Sequence, residues 1–449
     1  MDFPVKATQL LLSFSSEYSM RFSGLTLTAC LFIILMSDYS QAETWPQFRG
    51  ASGSGVSPEK NLPEKWSAEQ GILWSVALPG RANSSPAITE HRVDVTTKTD
   101  HDGLWILSFD RKSGQQIRKV KVGTGSLAAP GPRNLWAHRH NAATPCPISD
   151  AEHIWAYFGS GLLVCLDVES GETVWKRDLV KDYGAYDITF GMGSTPRLWG
   201  DLLFVSCMTK GPSYVVAFDK LTGKEVWKQN RKLPAEKDGA DAYSTPAIFQ
   251  NGNRTELLVS GSDHVNAYDP QTGKQLWIAG GLDIPSPFGR IIAAPVANSS
   301  TVIATSGNPG GGGLGFIKAF QNGKAGDITQ SGLLWKFDVA TPDSSTPLVL
   351  DNRLYMISQN GVATCLDLKT GEPVWKKRMK GQYFSSLVAG DGKVYFLSIE
   401  GLCTVVNAEN GDVIAENQLP GTFYSTPAIS DGVIYLRSFD RLYAISGKP

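Results

Sequence analysis

Most of the features that would tie a chain to one chemistry are missing from these 449 residues. The 42 basic side chains stand against 43 acidic ones, a formal net charge of −1. No global field therefore draws the protein toward nucleic acid or an anionic membrane, although a local patch could. Six cysteines occur without a CxxC, which removes the common zinc and thiol-redox spacings. A scaffold this large does not need disulfide staples, so the cysteines read as small apolar residues in strands. The run of four glycines from Gly310 is not followed by the Lys-Ser/Thr of a phosphate loop and reads as a hairpin. The hydrophobic run "GLTLTACLFIILM" after Arg21 is short for a bilayer span.

That run is better suited to a leader. Ser40-Gln41-Ala42 fits a small-x-small cleavage site before Glu43, with Met20 and Arg21 as a conventional start and residues 1–19 as an upstream extension. Two alternatives stay open, an uncleaved anchor and a lipoprotein signal at "LTAC" with Cys30. Three segments follow from this: 1–42 as extension and signal peptide, 43–70 as an extension packing on the main body, and 71–449 as one repeat domain. Export places the protein in the periplasm or cell envelope, or outside the cell.

What is abundant is turn and sheet material, with Gly 46, Pro 25, Trp 12 and Tyr 14. One unit returns along the chain, with openings at "SSPAIT" (Ser84), "ATPCPIS" (Ala143), "STPRLWG" (Ser194), "YSTPAIFQ" (Tyr243), "AAPVANS" (Ala293), "STPLVLD" (Ser345), "SSLVAGD" (Ser385) and "STPAISD" (Ser425). Five units carry D-x-x-[ST]-G, pairing Asp110 with Gly114, Asp167 with Gly171, Asp219 with Gly223, Asp269 with Gly273 and Asp367 with Gly371. Such an Asp can accept backbone N–H bonds while the Gly takes a positive φ, reversing the chain between two strands. Four residues beyond the Gly stand Trp175, Trp227, Trp277 and Trp375, with Arg118 and Ala415 in that place in the first and seventh units. Tryptophan there fits packing between neighbouring sheets, burying ~150–250 Å² each. Two residues before the Asp the side chain is small: Ser108, Cys165, Ala217, Ala267 and Cys365.

Period-two runs such as "RLYMIS" and "KVYFLS" give each unit about four short antiparallel strands. Four-stranded units repeated radially predict an all-β, eight-bladed β-propeller. The last unit ends at "RLYAISGKP" without a Trp strand, whereas "ILWSVAL" with Trp74 precedes the first unit. The N-terminal strand is therefore expected to complete the final blade. A seven-bladed ring is the rival, because "NPGGGGLGFIKAF" and "GLLW" make the fifth unit irregular.

"DLKTGEPVW", "DKLTGKEVW" and "DPQTGKQLW" resemble the tryptophan-docking repeats of the PQQ-like (pyrroloquinoline-quinone-like) β-propellers. That family includes quinoprotein alcohol dehydrogenases and an outer-membrane assembly lipoprotein, and "WPQFRGASGSGVSPEKNLPEKW" is similar to the start of exported members from planctomycete-type bacteria. The dehydrogenases imply a quinone over a calcium-type ion, stacked on Trp, covered by a disulfide of adjacent cysteines and flanked by a catalytic Asp. No adjacent Cys pair occurs here, so no cofactor, no metal and no catalytic residue are expected.

Loops entering the "TP" strands share one end of a propeller, a normal place for binding residues. His138, His140, Tyr186, Asp187, Asp241, Tyr243 and Arg290 are the candidates for a binding face. The function read from this is a non-enzymatic, monomeric scaffold for a protein or peptide partner in envelope assembly, with possible contact to the envelope membrane and no nucleic acid. The alternative is a PQQ- or metal-dependent oxidoreductase with its site at the axial end, for which His138, His140 and Asp187 would be the metal ligands.

Overall fold

The computed structural model describes residues 44–127, 139–252 and 254–447. The leader and His138 lie outside the described residues. Eight antiparallel sheets follow one another, each built around a short inner strand that opens just after the recurring "TP" or its equivalent. Blade 1 comprises Ala87–Ile88, Arg92–Lys98, Gly103–Asp110 and Gln116–Thr124. Blade 8 takes three strands from the C-terminal region, Ala428–Ser430, Val433–Arg437 and Arg441–Ile445, and its outer strand, Ile72–Ala77, from the N-terminal side. That strand pairs antiparallel with Arg441–Ile445, so the ring closes by main-chain pairing between chain segments remote in sequence. The seven-bladed alternative is overturned: the fifth unit forms a full blade of Val296–Ala297, Thr301–Thr305, Ile317–Gln321 and Leu333–Phe337. Its glycine run lies between the second and third strands, where Asn308 Oδ1 accepts from the Gly313 and Gly315 amides.

The D-x-x-[ST]-G turn works locally and then across blades. Asp110 Oδ1 accepts from the Lys112 and Ser113 amides and from the Ser113 hydroxyl, while Gly114 sits at φ 72°. The Trp of one blade then docks on the turn of the next. Trp74 Nε1 donates to Arg111 O at 3.0 Å, Trp175 to Lys220 O at 2.8 Å, Trp227 to Pro270 O at 2.9 Å and Trp375 to Ala408 O at 3.3 Å. A Cβ built on Gly114 would stand 2.6 Å from the Trp74 ring, so close approach of the indole, as well as the backbone angle, requires glycine. Trp335 of blade 5 docks in the same way on Leu368 O beside Gly371. Trp277 instead donates to Glu256 of its own blade.

The small residues are explained by the same packing. Cys165 faces Trp175 across the ladder, Ala217 faces Trp227, Ala267 faces Trp277 and Cys365 faces Trp375. In blade 7, where Ala415 replaces the Trp, the cross-strand partner is the larger Val405. Volume is thus shared between the two positions, as close-packed interiors require.

Residues 45–66 cross the end of the ring opposite the "TP" loops. Trp45 exchanges backbone bonds with Ile88 of blade 1, the Ser149 amide of blade 2 donates to Pro46 O, and Gln47 bonds both ways with Leu198 of blade 3. The strap then reaches Thr346 of blade 6 through Arg49, Ala389 of blade 7 through Gly55 and Ser57, and Asp431 of blade 8 through Glu59.

Candidate functional site

The inner strands surround a channel with a circular hydrogen-bond chain. The Ser85 amide donates to Cys146 Sγ at 3.1 Å, Cys146 N to Thr195 Oγ1 at 3.0 Å and Thr195 N to Thr245 Oγ1 at 3.4 Å. On the other side Ala294 N donates to Thr346 Oγ1, Thr346 N to Ser386 Oγ, Ser386 N to Thr426 Oγ1 and Thr426 N back to Ser85 Oγ, at 2.9–3.1 Å. One link is missing: Ala294 has no side-chain acceptor to offer the Thr245 amide. The chain also corrects the repeat register of blade 2. Cys146-Pro147, not Thr144-Pro145, is the counterpart of the other "[ST]-P" pairs, so Cys146 is a hydrogen-bonding member of the ring and not merely a small apolar residue in a strand.

Above this tier opens a cavity of about 250 Å³, with Phe48 of the strap among its lining residues. The residue just before each inner-strand pair forms a second tier, to which blades 4, 7 and 8 contribute Tyr243, Phe384 and Tyr424. Around the mouth three arginines lie over aromatic rings from other blades. The Arg81 guanidinium is 4.0 Å from the Phe439 ring centre, Arg139 is 5.1 Å from Phe384 and Arg290 is 4.8 Å from Phe190. Tyr424 stacks on Phe439 at 5.4 Å within a row that continues to Phe384, tilted against Tyr424 at 5.2 Å. The Nε and Nη2 atoms of Arg81 are buried without a hydrogen-bond partner among the described residues, and burial lowers its pKa. The carboxylate in the lining, Asp343, stands 3.9 Å from Arg290.

The candidates separate. His140, Tyr243 and Arg290 line the cavity together. Burial, reinforced by Arg81, pushes the His140 imidazole down to about 4. Tyr243 sits where its hydroxyl accepts from the Phe190 amide at 3.3 Å. Asp241 lies in the wall, fully buried, accepting from the Thr189 amide at 2.8 Å with Lys210 at 3.6 Å; burial raises its pKa. Tyr186 is buried between blades 2 and 3, sharing a hydroxyl–hydroxyl bond of 2.8 Å with Tyr157. Asp187 is exposed and not part of the lining. Among the described residues no three His, Cys, Asp or Glu side chains group closely enough to hold a metal ion. Arg81, Arg139, Phe190, Phe384, Tyr424 and Phe439 were not among the residues picked from sequence. Two of them had a positional signal: Phe384 and Tyr424, like the candidate Tyr243, each precede the "S-[ST]" pair of their unit.

A family model described as "Outer membrane protein assembly factor BamB" matches residues 105–377, 322–413 and 359–448. The chain belongs to that family. It is 31% identical over 244 residues to the BamB of Aliivibrio fischeri, an alignment covering 51% of this chain and 55% of the relative. The match thus spans about half the length of that curated relative. The crystal structure of BamB from Moraxella catarrhalis superposes with a TM-score of 0.57 at 15% identity, covering 83% of this chain and 96% of that one. A europium-containing methanol dehydrogenase (TM-score 0.63, 11% identity, 89% and 90% covered) and the quinohemoprotein alcohol dehydrogenase of Comamonas testosteroni (0.63, 11%, 90% and 81%) share the fold.

The dehydrogenase fold raises the question of a quinone and its ion, and the lining answers it by its donor set. Among the described residues its aromatic side chains are Phe48, Phe190, Tyr243, Phe384 and Tyr424, with no Trp among them. Its one cysteine, Cys146, is occupied by the ring, and its one carboxylate faces an arginine. The described lining residues by themselves do not fit a quinone held over a divalent ion.

Proposed function

We propose that this propeller is a non-enzymatic scaffold of the exported cell envelope whose axial mouth holds a protein or peptide partner. The observation that carries the reading is the set of three arginine–aromatic pairs, Arg81–Phe439, Arg139–Phe384 and Arg290–Phe190, each joining two different blades. Arginine and aromatic side chains held rigid at the rim of a concave site are the usual anchors of protein interfaces. With one carboxylate, Asp343, beside Arg139 and Arg290 among the described lining residues, and a neutral His140, the mouth suits acidic and aromatic partner side chains. The family's description as an outer-membrane assembly factor agrees with a scaffold in that compartment.

The test is capture from envelope extracts by wild-type protein and by the double variant Arg139→Glu/Arg290→Glu. Capture is expected to fall at least tenfold in the variant while its melting temperature stays within a few degrees. Undiminished capture by a folded variant would remove the mouth as the binding face.

A further inference from the structure

In a propeller the outer strand of every blade leaves a row of unpaired N–H and C=O groups, and native sheets guard such edges with charge, above all lysine. Six of the eight outer strands here are guarded. Gln116–Thr124 carries Arg118, Lys119 and Lys121; Thr173–Asp178, Glu225–Asn230, Leu333–Phe337 and Pro373–Arg378 each place a Lys directly after the Trp; Val413–Gln418 carries Glu416. Two strands have no charged residue at all, Gln275–Ala279 of blade 4 and Ile72–Ala77 of blade 8.

The first of these is covered by the chain itself. Gly326–Asp327 adds as a fifth, parallel strand, pairing with Trp277 and Ile278. The Ile328 amide donates to Ile278 O at 2.8 Å and the Gly280 amide to Thr329 Oγ1 at 2.9 Å. Ile328 is buried in the blade 4–5 core, where Leu276 packs partly covered. Aligning Trp277 with Trp74 makes Leu276 the counterpart of Leu73, Ile278 of Ser75 and Gly280 of Ala77. In blade 8 the Leu78 amide donates inward to Asp440 O, so alternation along the ladder turns the backbone groups of Ser75 and Ala77 outward, as at Ile278 and Gly280. Leu73 is 54% exposed, and nothing among the described residues pairs with this edge.

We propose that the outer edge of Ile72–Ala77 is a β-augmentation site for an extended segment of a partner polypeptide, bound parallel to the strand with a β-branched aliphatic residue in the place Ile328 takes on blade 4 and a hydroxyl residue beside Ala77. The strand itself has no ionic side chain, with Arg441 of the neighbouring strand bonded to the Ser75 hydroxyl, and the matching edge of blade 4 shows the occupant that suits it: a short segment of low charge, Gly326–Asp327, followed by Ile328-Thr329. Main-chain bonds give the affinity in this mode and side-chain contacts the specificity. The site is separate from the axial mouth.

The probe is a labelled peptide copying residues 324–331 of this chain, titrated into the full protein and followed by anisotropy and amide exchange. Ser75→Lys recreates the Trp-Lys pair that four other blades carry and so should fold normally. Saturable binding is expected, with protection of the Ser75 and Ala77 amides, at least tenfold weaker in Ser75→Lys and unchanged in Arg290→Glu. Equal binding by wild type and Ser75→Lys, or no saturable binding, would overturn the proposal. Concentration-dependent dimerisation of the wild type that Ser75→Lys abolishes would assign the edge to a second copy of this chain instead.

Discussion

The two ends of the channel are formed by the same eight inner strands and are finished in opposite ways. At the strap end, Gln47 and Arg49 donate to the carbonyls of Leu198, Thr346 and Ser54, with Arg49 Nε alone unmet among the described residues, and Phe48 enters the channel. Arg49 is wholly buried near Arg197, and burial together with that neighbour pushes its pKa down to about 9. At the mouth, Arg81, Arg139 and Arg290 lie on aromatic faces, and two Arg81 donors, Nε and Nη2, have no partner among the described residues. A cation whose donors mostly meet backbone holds blades together, whereas Arg81, lying on a ring with two donors unmet among the described residues, keeps them for something else. Stability should therefore follow the closure and the strap, and binding should follow the mouth.

The largest expected effect breaks the closure. Deleting Ile72–Leu78 removes a whole strand, the Trp74 dock on blade 1 and the cover of blade 8, exposing unpaired backbone groups. Deleting residues 43–60 removes Trp45, which is 2% exposed, and the crossing of the channel, but leaves all eight sheets complete. Calorimetry should show loss of the cooperative transition in the first truncation and a lowered but intact transition in the second. Equal midpoints would mean that the strap and the closing strand are energetically equivalent.

That contrast also marks how far the sequence could be read. The propeller and its closure were legible because their signals are local: Asp110 and Gly114 sit in one turn, and an unclaimed Trp74 strand has only one unfinished blade to join. The small residues facing the tryptophans were legible as a pattern, though their cause, a cross-strand volume exchange, needed the register. The mouth was half legible. Loops entering inner strands do gather there, which placed His140, Tyr243 and Arg290, but whether a loop residue turns to the cavity or back between blades depends on packing. Tyr186 and Asp241 turned back. Arg81 and Phe439 come from opposite ends of the chain and meet only because the ring closes, and Trp335 docks on a turn belonging to the next blade. The Gly326–Asp327 strand is too short to produce any periodicity.

A smaller effect sharpens the description of the mouth. The His140 pKa in the fold is about 4 against an ordinary 6.5. The unfolded chain therefore takes up this proton first as pH falls, so the contribution is full above about pH 6.5, declines between 6.5 and 4 and changes no further below 4. Thermal midpoints of wild type and His140→Gln measured across that window should diverge, with the wild type losing several degrees more. Parallel profiles would show that the imidazole is solvated and that the mouth is wetter than its lining suggests.

The smallest expected effect is a gain. The hydrogen-bond circle is interrupted only between blades 4 and 5, where Ala294 stands at the place held elsewhere by Ser, Thr or Cys. Ala294 is 6% exposed, and its own amide already donates to Thr346 Oγ1 at 3.1 Å, so the backbone has the ring geometry and only the acceptor is absent. Ala294→Thr adds a side chain of the kind found at the equivalent position in blades 3, 4, 6 and 8 and supplies the Thr245 amide with a partner. A neutral hydrogen bond of this type contributes about 0.5–1.5 kcal/mol net, and denaturant unfolding should show a gain near that size with an unchanged slope. Because the substitution lies below the three arginines, partner capture at the mouth should not change with it. A stability gain without altered capture would separate ring from rim, while a gain accompanied by weakened capture would show that the partner reaches down to the hydrogen-bonded tier.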